Sequence, residues 1–173
     1  MKKYIIYTGI ISSILLFVAC SEAETTENSG NDLSKKDTKS CLLILDNENV
    51  VVNWTAFKLS DRVGVGGTFD TVIVSGVTEN ETMVGAAATA QFDIITGSVN
   101  SNNTERDYKI SDSFFGTMVN TATISGKILS LNDDGSGAIS LTMNGVEKEV
   151  ALDWKATSEN RLKLSAAIDV NDW

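Results

Sequence analysis

The stretch Ser98-Val-Asn-Ser-Asn-Asn-Thr-Glu-Arg-Asp-Tyr-Lys-Ile-Ser-Asp-Ser-Phe-Phe-Gly116 decides how the rest of the chain is read. Strand-like sequence flanks it on both sides. It alone combines helix-start chemistry with a dense mix of charges and aromatics. Asn103 or Thr104 can cap a short helical turn, and Glu105 sits where the helix dipole favours a negative charge. Arg106 and Asp107 are adjacent, so they point in different directions and each needs its own partner. Phe114 and Phe115 directly precede Gly116, as a plug sinking into a core would. The stretch predicts a short helical crossover near residues 103–112, around which two β-halves meet.

The same residues carry a resemblance. Asn103, Arg106 and Asp107, followed by Ser111, Asp112, Phe114 and Phe115, resemble the signature of the YceI-like family. Two positions depart from it: the family's His falls at Lys109, and its Asp before the Phe pair falls at Ser113, with Asp112 one place earlier. The resemblance spans roughly residues 43–173 and is dense in motif residues only at this centre. It implies a lipocalin-like antiparallel β-barrel of about eight strands, whose apolar interior holds a polyisoprenoid chain. Asn103, Arg106 and Asp107 are then structural motif residues that tie the crossover to the barrel.

The totals fit an all-β chain. At 173 residues and 42% hydrophobic, one domain can bury a real core. Pro is absent, while Gly, Ser, Thr and Val are plentiful, which favours strands and tight turns. His is also absent, so a Ser-His-Asp or Cys-His catalytic site cannot be built within the chain. Zinc would have to rely on carboxylates and thiols. The net charge of −9 disfavours nucleic acid and anionic lipid headgroups. Residence at a membrane would need a covalent anchor.

The amino end offers one. Lys2 and Lys3 precede an apolar run over residues 5–18 that is short for a membrane span and suited to a signal-peptide core. It ends in Ala19-Cys20, which resembles a bacterial lipobox, so residues 1–19 read as a lipoprotein signal peptide and Cys20 as the lipidated residue. The alternatives are an ordinary secretory leader cleaved elsewhere and a retained anchor. Residues 20–40 hold little that is apolar and read as a flexible tether with a reach of roughly 25 Å. The localisation this implies is the cell envelope, periplasmic or at the outer-membrane surface.

Residues 41–173 read as the barrel domain. A first strand over 41–45 is followed by a turn at 46–49. Residues 50–59 then alternate, with Val50, Val52, Trp54 and Ala56 on one face. Gly64, Gly66 and Gly67 precede a strand rather than a helix, so they predict a bend or bulge at a barrel corner, not a phosphate loop. Four alanines in residues 86–95 could suggest helix, but the following Ile-Ile-Thr-Gly and the family resemblance decide for a strand whose small residues leave room inside. Asn132-Asp-Asp-Gly135 is a turn without calcium-loop spacing. Asn144-Gly145 lies between two alternating runs, the strongest short-range hairpin signal. Residues 161–170 form the last strand, with Leu162, Leu164, Ala166 and Ile168 on one face. Past Trp173, either the barrel closes without a tail or the chain is truncated. Cys41 is expected to be a buried structural thiol, and pairing between molecules, giving a homodimer, is the alternative.

No catalytic, metal or cofactor motif appears, so the chain reads as a non-enzyme. Binding of an apolar lipid remains, a polyisoprenoid or an isoprenoid quinone. The candidate liners are Trp54, Phe69, Phe92, Phe114, Phe115 and Trp154, each equally readable as plain core. The competing reading is a structural or surface-interaction lipoprotein whose barrel is filled by side chains.

Overall fold

Alternation sets the walls. The computed structural model describes residues 8–18, 41–58, 63–120, 122–157 and 160–173; for 8–18 and 58 it describes the backbone alone. Along β2 (Leu43–Lys58), Val52 and Trp54 are buried and Val51, next to Val52, is exposed. Ile124 and Ile128 repeat the pattern in β7 (Thr123–Leu131), Leu141 and Met143 in β8 (Ser136–Met143), Val150 and Leu152 in β9 (Val146–Thr157), and Leu162 and Ile168 in β10 (Arg161–Ile168). Each strand thus presents an apolar face inward.

These strands join β1 (Thr8–Val18), β3 (Val63–Phe69), β4 (Val72–Ser75), β5 (Gln91–Ile95) and β6 (Val99–Asn100) in one antiparallel sheet ordered β4-β5-β7-β8-β9-β10-β1-β2-β3-β6. Its two ends are the same place. β3 and β4 are halves of one bent strand, and β5 and β6 are halves of another. Val72 faces Ile94 on one side of the bend, and Phe69 faces Val99 on the other. Counting each bent strand once, the ring closes with eight staves, as the resemblance implies. The Asp70 N–H donates to Ser98 O at 2.9 Å and the Ile95 N–H to Thr71 O at 3.1 Å, which fastens the two bends together.

The hairpin at Asn144-Gly145 forms as expected. Both residues take positive φ, 51° and 72°, as a tight two-residue turn requires. The turn at 132–135 forms too. The Asp134 carboxyl is held below its ordinary range by the hydroxyl and N–H of Ser136.

Four local expectations are corrected. Residues 46–49 do not end a strand: β2 runs through them, and its register against β1 shifts between Ser13 and Leu15, so they form a wide bulge in which Asp46 accepts from the Glu48 N–H and the Asn49 amide. Residues 86–95 are not one strand. Thr82 caps a helix, α1 (Met83–Ala87), and the strand starts only at Gln91. Alanine's helix propensity prevails there, and Ala86 and Ala87 are fully buried as a plug. The glycines of β3 make no bulge, because β3 pairs with β2 in unbroken register. Gly67 is a close approach instead: a Cβ there would lie 2.4 Å from Asn100 O and 2.8 Å from Trp54 Cζ2. Cys41 is exposed, since it precedes β2 and lies outside the wall.

Thr8–Val18 lies in the apolar run expected to be a leader, and here it runs as a strand between β10 and β2. Cys20 and residues 21–40, expected to be the tether, lie outside the described residues.

Gly67→Ala should lower stability by roughly 2 kcal/mol, within the usual range for overpacking. A lower urea midpoint at unchanged slope would show it.

Candidate functional site

The crossover roofs one part of the interior, and its motif residues hold it there. Asn103 has extended backbone, and its Oδ1 accepts from the Arg106 N–H at 2.9 Å, capping α2 (Thr104–Tyr108). One turn on, Asp107 Oδ1 accepts from the Ser101 N–H at 2.9 Å and from Ser101 Oγ at 2.6 Å. That carboxylate ties α2 to the end of β6. Arg106 departs from the expectation: among the described residues its side chain makes no hydrogen bond or ion pair. Lys109, where the family has His, pairs with Glu105 at 2.6 Å, and both are well exposed. Such a pair adds a few tenths of a kcal/mol to the short helix.

After α2 the chain widens into a π turn over Lys109–Phe114 and tightens into a 3₁₀ turn over Phe115–Thr117. The helical segment therefore extends past residue 112. Phe115 is buried, with its ring centroid 6.2 Å from that of Phe69. Phe114 is 38% exposed and stands edge-on to Phe115 at 4.9 Å. Phe115 is thus the plug, and Phe114 lies at the boundary between interior and solvent.

Beneath this roof is an apolar chamber of about 300 Å³, bounded by Trp54, Phe69, Ile110, Phe114, Phe115 and Met143, with Ile168 and Val170 completing its wall. A second chamber of about 80 Å³ lies among Val52, Phe92, Ile94, Leu141, Leu152 and Ile168. Ile168 borders both, so the two spaces meet at its side chain. No charged side chain lines either. Trp54 Nε1 donates to Thr68 O at 3.2 Å, which settles its polar atom in the wall and leaves the ring to the chamber.

Of the residues expected to line the interior, Trp54, Phe69, Phe114 and Phe115 meet at the larger chamber, and Phe92 lies at the smaller. Trp154 lines neither. Its Nε1 donates to Asn132 O at 2.9 Å, so it fastens the β7–β8 turn at another part of the barrel. Ile110, Met143 and Val170 are liners that sequence reading missed. Ile110 could have been found: it precedes Phe114 by four residues and so shares its helical face. Ile168 was placed on the correct face of its strand but not at a site. Among the described residues no cluster of three or more Cys, Asp or Glu could hold a metal ion.

A closed antiparallel barrel around an apolar hollow, with a helical crossover as its roof, defines a lipocalin-like fold. The chain belongs to the YceI-like family, whose domain model matches residues 44–173. Members of that family are generally polyisoprenoid-binding barrels, and the family is one of binding proteins. No curated protein matches the chain.

Asn103→Ala should cost about 1 kcal/mol through loss of the cap. Asp107→Ala should cost roughly 1–2 kcal/mol, because it strands the buried Ser101 donors. Thermal unfolding of the two variants measures both.

Proposed function

We propose that this protein binds an apolar lipid inside the barrel, a polyisoprenoid or the tail of an isoprenoid quinone. The observation that carries the reading is the unfilled apolar chamber beneath the crossover. A hollow of about 300 Å³ lined by aromatic and aliphatic groups leaves packing contacts unmade. Water gains little there, because the lining gives it almost nothing to hydrogen-bond. Hydrocarbon regains the lost contacts. Each five-carbon unit offers roughly 80–100 Å² of apolar surface, worth about 2 kcal/mol gross when buried. With no charged group in the lining, recognition is by shape and apolarity, and a polar head would remain at the rim.

The alternative of a barrel filled by side chains finds more support in the smaller chamber of about 80 Å³ than in the larger one. We also propose that Cys20 carries a lipid anchor and holds the barrel at the cell envelope. Lys2 and Lys3, the apolar run and Ala19-Cys20 support this. Labelling cells with a fatty-acid analogue should mark the protein, and Cys20→Ser should abolish the mark.

Native mass spectrometry of protein from a bacterial host should show a bound lipid. Ala56→Phe, which pushes a ring into the larger chamber, should reduce uptake at least about tenfold while the fold is retained by circular dichroism. Protein that is always empty, and takes up no quinone or polyprenol, would sink the proposal.

A further inference from the structure

We propose that the π turn Lys109–Phe114 is the gate through which a lipid tail reaches the larger chamber, with Phe114 as its latch. The inference rests on the lipid-binding reading for what passes. The opening itself is a property of the empty protein.

Three observations converge on this segment. The first is position: Ile110 and Phe114 both line the chamber, and Phe114 is also 38% exposed, so its ring stands at the boundary between the hollow and solvent.

The second is fastening. Upstream, Asp107 holds Ser101; downstream, the Val119 N–H donates to Asn144 Oδ1 at 2.7 Å. Between these anchors, among the described residues, the side-chain hydrogen bonds of the segment close on the segment itself. Lys109 reaches Glu105, Ser111 Oγ donates to Tyr108 O, and Thr117 Oγ1 donates to Phe114 O. Only Ile110, Phe114 and Phe115 meet the chamber, and they do so through apolar contact. Such contact is non-directional, so the segment can lift without stranding a donor or acceptor of the barrel.

The third is the backbone. The Phe115 N–H is shared between Ile110 O, five residues back, and Ser111 O, four residues back. It already makes both the π and the α bond. Giving up the longer bond tightens the turn from π to α winding, which rotates the side chains within it about the helix axis. Phe114 would swing off the chamber while the N–H keeps a partner throughout. A wide turn poised between two registers gives the gate two states at low cost.

Two measurements on the full chain test this. In stopped-flow mixing with a benzoquinone bearing a decyl tail, with Trp154→Phe and Trp173→Phe in the background, quenching of the remaining Trp54 reports arrival in the chamber. Phe114→Ala should speed both uptake and release about tenfold, since it lowers a barrier shared by both directions. In hydrogen exchange of the lipid-free protein, amides 110–117 should open together, well ahead of those in β7 and β8, and Phe114→Ala should accelerate that group alone. Unchanged quinone rates in Phe114→Ala, or protection of 110–117 equal to the strands, overturns the gate. Cooperative opening in a wild-type protein that takes up no quinone keeps the gate and removes the lipid reading instead.

Discussion

Hydrogen bonding around the ring is the constraint on which everything else depends. Each stave is paired on both edges, so the walls cannot move together to fill the middle. A layered core relaxes around a missing side chain, whereas a closed ring has fixed girth. Its hollow is set by which residues face inward. Where those are leucine and isoleucine from several strands, less space remains. Where Ala56 and the edge of Trp54 face inward, space remains, and the crossover becomes a cover rather than a plug throughout.

Much of this was legible from residue order alone. Two-residue periodicity gave the inner faces of β2 and β10, and Asn144-Gly145 gave the hairpin, because both signals depend on neighbours in sequence. Asn103 and Asp107 were also readable, since a cap and its following turn are local. Failures came where distant backbone decides. Gly67 makes room for Trp54 and for the carbonyl of Asn100, thirty-odd residues away, which no local pattern records. Trp154 and Trp54 look alike in sequence; the acceptor each indole found, Asn132 O or Thr68 O, sends one to a turn and the other to the chamber wall. The alanines of α1 were misread because a buried helical turn and a strand of small residues have the same composition.

Polar groups serve here as fasteners. Asp107 holds α2 to the end of β6, and Asn144 does two things at once. Its backbone makes the tight turn between β8 and β9, while its side chain accepts from Val119 and secures the far end of the crossover. The hairpin and the roof are therefore coupled through a single amide oxygen. Both anchors avoid the chamber, which leaves hydrocarbon alone in contact with whatever fills it.

The position of Thr8–Val18 has a consequence for biogenesis. From β2 onward the barrel contributes seven staves, an odd number, so β2 and β10 run in the same direction. The strand between them runs against both and satisfies two rows of amides and carbonyls at once. A chain that surrenders these eleven residues to a peptidase opens a seam that its two banks cannot close in antiparallel fashion. If the proposed leader is cut at Cys20, export and closure draw on one segment, and the order of cutting and folding decides whether that seam is ever exposed.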